Sequence, residues 1–286
     1  MNRRAKIGFD RRIDLEWLDA ISARVAAGAD VREARQYVWQ LLDGVVRGAT
    51  SKSARGKTLT VLSHIWSEVP ELAAPLRTRA IAELRIAAPE ERLAIHWAMM
   101  IGTYPAFADV ATAAGKLLAL QGSFSLAMLT KRMVDAWGGR STMVRAAQRI
   151  VRSMVQWGVL VDTPTRGTYR RGAMRKVGAG PARVLIEAVL VDSRASALPV
   201  EQAVGHPSLF PFELCVDASH LRKDVQFLIH RQGWREDVIE LAPLRETDPP
   251  VAPPSARSLG QLASEDPFEI APHDAEGREQ FRRDVQ

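Results

Sequence analysis

Residues 123–172 restrict this chain more than any other stretch, because three structural patterns follow one another there without a break. SFSLAMLTKRMVDAWG has apolar residues at helical spacing and runs into Gly138-Gly139, a helix stop. RSTMVRAAQRIVRSMVQWGV predicts a second helix, with Ser141 or Thr142 as N-cap and Gly158 as C-cap. VLVDT and TYRRG are then short strand-like runs around a Pro-Thr-Arg-Gly turn, which reads as a hairpin. Helix, tight turn, helix, hairpin is the order of a winged helix-turn-helix.

The flanking sequence has to be compatible with that unit. From Ile13 to about Leu120 the periodicity is helical throughout: Leu15, Leu18, Ile21 and Val25 recur until Gly28, and Asp30 is placed to cap VREARQYVWQLLDGVV. A third helix begins in TSKSARGKTLTVLSHIWSEV and stops before Pro70; others are expected near 74–86, 89–101 and 106–120. Trp17, Trp39, Trp66 and Trp97 fall at core positions of these helices and read as packing anchors. After the hairpin, RVLIEAVLVD and residues 212–216 read as strands, Ser219–Arg231 as a helix and DVIEL as a last strand. The expected fold is mainly α: a helical bundle (1–121), a winged helix-turn-helix-like domain with a small mixed α/β extension (122–242), and a Pro-rich acidic tail (243–286).

Charge follows the same divisions. Residues 131–183 contain 12 Lys/Arg and 2 Asp/Glu (+10), and residues 236–286 contain 5 and 12 (−7), so the formal +6 conceals two opposed segments. Seven arginines and no lysine lie between Gly138 and Arg171, with Asp162 the only acid. On a helix Arg145, Gln148, Arg149, Arg152 and Gln156 share one face, while Met143, Ala147, Ile150, Val151 and Met154 share the other. Arginine suits guanine edges and phosphate, glutamine suits adenine, and an α-helix fits the major groove. Arg140 stands at the helix start, Lys131 and Arg132 precede it, and Arg166, Tyr169, Arg170 and Arg171 would form the wing. Two other readings are a solvated face and a dock for an acidic protein or for the chain's own acidic tail. Solvated faces mix signs, and this helix contains no acid.

A second cluster, Arg47, Lys52, Arg55 and Lys57 in RGATSKSARGKT, offers another phosphate contact or a plain capping loop. Its Gly-Lys-Thr is not a P-loop, since position 51 is serine where that loop needs glycine and no strand precedes it. Enzymatic signatures are missing. No H-x-x-x-H, C-x-x-C, nucleophile elbow or Gly-rich dinucleotide loop occurs, and His220 and His230 are read as lying on nearly opposite faces of one helix. No catalysis, metal or cofactor is expected. The lone Cys215, in FELCVD, reads as a buried core residue, and one cysteine fits a reducing cytoplasm. The basic N-terminus lacks the apolar run of a signal peptide, and LAIHWAMMIGTYPAFADVATAAGKLLAL is interrupted by His96, Tyr104-Pro105, Asp109 and Lys116, so it reads as two buried helices.

TSKSARGKTLTVLSHIWSEV, then AIHWAMMIGTYPAFADV, then AWGGRSTMVRAAQRIVRSMVQWGVL is an order of segments that resembles the BrxA proteins of bacterial BREX phage-defence systems, over residues 10–240. The resemblance implies a small non-enzymatic DNA-binding component beside a methyltransferase, an ATPase and other defence proteins. The Pro-rich acidic tail departs from that family's pattern. The expected partner is duplex DNA. The rival expectations are a protein-interaction adaptor and a dimeric winged-helix repressor with a ligand pocket in its helical half; RNA binding by that half also stays open.

Overall fold

Two helices in the N-terminal half begin at capping side chains, Asp30 and Ser53. The computed structural model describes residues 7–243, apart from 194, 196, 217 and 233–235; the stretch 244–286, nearly all of the expected tail, lies outside the described residues. Six helices occupy the expected bundle: α1 (Leu15–Ala26), α2 (Val31–Leu41), α3 (Ala54–Trp66), α4 (Ala74–Leu84), α5 (Arg92–Thr103) and α6 (Pro105–Gln121). Asp30 and Glu33 form a reciprocal capping box at α2, with bonds of 2.8 and 3.0 Å. Ser53 caps α3. Tyr104 is extended before Pro105, the first residue of α6, and Gly122 closes that helix in the left-handed conformation at φ 74.

The core does not divide at residue 121. Trp97 on α5 has Phe107, Trp157, Phe210 and Phe212 edge-on around its ring, with centroids 5.0–6.1 Å away, so one apolar cluster runs from Ile7 to Phe212. Trp17, Trp66 and Trp97 are buried as expected, and Trp39 is half-buried.

The next unit begins with a strand the helical spacing had concealed, β1 (Ser123–Ser125). Helices α7 (Leu126–Trp137) and α8 (Ser141–Gln156) follow, then β2 (Leu160–Asp162) and β3 (Thr168–Arg171). The three strands form an antiparallel sheet in the order β1-β3-β2, with Phe124 opposite Tyr169 and Asp162 opposite Tyr169. The hairpin is present where it was predicted. It is closed by a Thr163 N–H to Thr168 O bond of 3.0 Å, with Gly167 at φ 74.

Beyond it, two expectations fail. RVLIEAVLVD is not a strand but part of α9 (Ala179–Asp192), buried from Pro181 to Leu190 except Arg183. A segment buried on all sides has no period to distinguish helix from strand. Residues 219–231 are not one helix. The short α11 (Ala218–Arg222) ends early and β7 (Phe227–Gln232) pairs with β8 (Glu236–Leu241), so His220 and His230 occupy different elements. A two-residue β5 (Leu198–Pro199) completes that sheet, α10 (Val200–Val204) follows, and β4 (Arg175–Val177) pairs in parallel with β6 (Phe212–Leu214). Cys215, just past β6, is exposed rather than buried.

This last region has its own small core of Ile186, Leu190, Val200, Ala203, Leu221, Phe227 and Ile239. Fully buried Glu187 on α9 ties it to α4, accepting from Arg79 Nε at 2.7 Å and from Gln226 at 2.5 Å. Burial pushes the Glu187 carboxyl up, and the Arg79 guanidinium draws it partly back. No helix among the described residues is long and apolar enough to cross a membrane.

Candidate nucleic-acid interface

Helix α8 has the two faces its spacing predicts. Met143, Ala146, Ala147, Ile150, Val151 and Met154 are buried, and Arg145, Gln148, Arg149, Arg152 and Gln156 are exposed. Its N-cap is Arg140, not Ser141 or Thr142, and no side chain caps it.

The two halves of this face differ. Toward the C-terminal end every polar group already has a partner. Ser153 Oγ accepts from the Ile13 N–H at 2.8 Å, Trp157 Nε1 donates to the Ile13 carbonyl at 3.0 Å, and Gln156 Oε1 accepts from the Leu15 N–H at 3.1 Å. The extended segment before α1 thus fastens the last turn of α8, and the exposed Gln156 accepts from the first N–H of α1. Arg152 Nη1 is 3.1 Å from both carboxylate oxygens of Asp162 on β2. The acid missing from the helix is therefore supplied by the hairpin.

Toward the N-terminal end the face is open. The side chains of Arg140, Arg145, Gln148 and Arg149 are exposed and have no hydrogen bond or ion pair among the described residues. On α7, Arg132 is likewise exposed and unpaired, whereas Lys131 is 3.6 Å from Asp135 one turn on.

The hairpin keeps only part of its expected role. Tyr169 is 4% exposed, its ring 5.8 Å from Phe124, because alternation along β3 turns it inward. It cannot be a wing contact. Arg170 is on the opposite, exposed face of the sheet. Arg171, at the root of the hairpin opposite Leu160, is half-buried with its guanidinium 6.0 Å from the Phe210 ring. Only Arg166 is at the exposed tip.

The second basic cluster also loses a member. Arg55 is 7% exposed, stacked 3.8 Å above Trp39, bonded through Nε to the Trp39 carbonyl at 2.9 Å and to Asp43 at 2.7 Å. Burial lowers its pKa and Asp43 works against that shift. It pins the loop after α2 and is not a phosphate ligand. Gly56 serves the same turn, since a Cβ there would lie 2.6 Å from the Ser51 carbonyl carbon. Lys52 and Lys57 remain exposed and unpaired.

Among the described residues no three His, Cys, Asp or Glu side chains gather as metal ligands. An open cleft lies between α1 and α2, lined by Arg24, Glu33, Gln36, Tyr37 and Gln40, with Arg24 4.0 Å over the Tyr37 ring. Comparison with protein-family models, with curated proteins and with solved structures gives no match to this chain.

Proposed function

We propose that residues 105–171 form a winged helix-turn-helix, with α6, α7 and α8 as its helices and the β2–β3 hairpin as its wing, and that the protein is a non-enzymatic, cytoplasmic DNA-binding protein. Two helices inserted between β1 and β2, and the sheet order β1-β3-β2, support that fold. The observation that carries the function is the N-terminal half of α8: Arg140, Arg145, Gln148 and Arg149 exposed and unpaired beside an uncapped helix start. Guanidinium and carboxamide groups on an exposed helix are the side chains that read base edges, and an open N-terminus favours phosphate. Arg166 reaches the backbone from the wing tip. The resemblance to the BrxA family supplies the setting, a phage-defence component beside a methyltransferase and an ATPase.

A second reading, a protein-docking adaptor, is favoured by one observation: Arg152 on this face already binds a carboxylate.

The test is duplex-DNA binding at two salt concentrations for wild type and Arg145→Ala/Arg149→Ala. Two lost phosphate contacts reduce the salt slope by about 1.8 and the affinity by up to roughly 60-fold at about 0.1 M salt. A loss of affinity without the loss of slope assigns the pair to bases. Equal binding by both proteins, or by neither, overturns the reading and favours the adaptor.

A further inference from the structure

We infer that the open arginine face of α8 is a docking surface for the chain's own acidic segment, SLGQLASEDPFEIAPHDAEG (residues 258–277), which competes there with DNA. The competition rests on the DNA-binding reading above; the contact does not.

Several other arginines of the fold have carboxylate partners, although Lys52, Lys57, Arg166 and Arg170 are exposed without one among the described residues. Arg35 pairs with Glu68, Arg79 with Glu187, Arg183 with Glu83 and Asp224, Arg222 with Asp237, and Arg152 with Asp162. Arg132, Arg140, Arg145 and Arg149 form an exposed group with no such partner among the described residues. Residues 1–243 also lack the charge to cover them. Of 39 Lys/Arg and 33 Asp/Glu, residues 244–286 hold 5 and 9, which leaves 34 and 24 in residues 1–243, or +10 against −4. The balancing carboxylates are concentrated: Glu265, Asp266, Glu269, Asp274 and Glu276 fall within residues 258–277, where no Lys or Arg occurs. Arg152 with Asp162 shows that a carboxylate is accepted on this face one turn beyond Arg149.

The connection is long enough. From Pro243, past the end of β8, to Glu265 is 22 residues, which at about 3.3–3.6 Å each span up to roughly 75 Å. A folded body of this size has a radius of gyration of roughly 18 Å and so a diameter near 45 Å, and no point on its surface is out of reach. Tethering supplies an effective concentration in the millimolar range, so a contact with a dissociation constant of about 0.1 mM is about 90% formed and raises the apparent Kd for DNA about tenfold. Screening by salt weakens it, the Debye length being about 8 Å at physiological ionic strength.

The experiment uses the full chain with Glu265→Gln, Asp266→Asn, Glu269→Gln, Asp274→Asn and Glu276→Gln introduced together. Without DNA, the expected differences in backbone amide shifts between this variant and wild type are concentrated on residues 140–149, and Arg145→Ala/Arg149→Ala abolishes them. With duplex DNA, the variant binds about tenfold tighter at about 50 mM salt, and the gap closes as salt rises. Unchanged amides on α8, or changes centred on Lys52 and Lys57 instead, overturn the inference whatever DNA does. Changed α8 amides with equal DNA affinity overturn the competition. Changed amides with no DNA binding by either protein leave the contact standing and remove the DNA-binding reading instead.

Discussion

Asp162→Asn separates two roles that Arg152 could play. In the structure Arg152 Nη1 bridges both Asp162 oxygens at 3.1 Å, and both side chains are about half exposed, 49% and 53%. A pair so open to water is worth about 0–1 kcal/mol, so Asp162→Asn folds with nearly unchanged stability. For binding the change is larger. The pair offsets the Arg152 charge on the face that also presents Arg145 and Arg149, and removing the carboxylate leaves an uncompensated fixed cation one turn beyond Arg149. One added phosphate contact raises the salt slope by about 0.9, which at about 0.1 M salt is roughly an eightfold gain in affinity. Arg152→Ala acts in the other direction, leaving an unpaired carboxylate where phosphate would approach. The assay is the anisotropy of a labelled duplex over about 50–300 mM salt, with a thermal melt of each variant alongside. If Asp162→Asn binds no tighter, or its slope is unchanged, the helix does not approach phosphate at that turn, and Arg152 only braces the hairpin against α8.

Two further predictions concern the turn that supports α6. Gly115 faces the Pro207–Leu209 turn, and a Cβ there would collide with the Pro207 carbonyl, lying 2.8 Å from its carbon and 3.2 Å from Phe210 Cβ. Helix propensity alone makes Gly115→Ala stabilising by about 1 kcal/mol. Overpacking of about 1–3 kcal/mol, added to about 1–3 kcal/mol for a weakened Trp97 Nε1 bond to Ser208 O, reverses the sign. The expected net loss is about 1–5 kcal/mol, read as a lower urea midpoint, and a variant as stable as wild type refutes the close approach. In the same turn, burial and the Lys116 charge hold the His206 pKa below its ordinary 6.5, and its Nδ1 accepts from the Ser208 N–H at 3.3 Å. The unfolded chain then takes up a proton before the folded one, so this group's stability is full above pH 6.5 and is lost as pH falls through the folded value. Melting temperatures at about pH 8 and pH 5 should fall further for wild type than for His206→Asn, which keeps the acceptor without titrating in that window; parallel falls would contradict the assignment.

How much of this was legible in the sequence depended on whether an element has two different faces. Helix α8 does, and its buried and exposed residues were placed correctly from spacing alone. Helix α9 is apolar on every side, so RVLIEAVLVD was misread. Tyr169 was a misreading the sequence could have prevented: with Arg170 outward on a strand, its neighbour points inward. Arg55 gave no local signal, because its partners Trp39 and Asp43 lie 16 and 12 residues away in the chain. The attachment of Ile13 to Ser153 and Trp157 spans 140 and 144 residues. Only one hint of it existed, a serine in the middle of the apolar face of α8.

That attachment decides how the arginine face is presented. A binding helix held only by its own loops would lose orientation freedom each time it engaged a partner, and ordering costs about 0.5–1.5 kcal/mol for each side chain immobilised, before any backbone is fixed. Here the C-terminal half of α8 is bonded to the segment before α1, to β2 and to the aromatic cluster around Trp97, while the N-terminal half is held in the core by Met143, Ala146 and Ala147 and keeps its outer side chains without partners among the described residues. The same division explains why Gln156 and Arg152 are poor candidates for contact and Arg145 and Arg149 good ones. Side chains that fix a helix cannot also read a partner, and on the proposed DNA-binding reading the two tasks fall to different turns of α8.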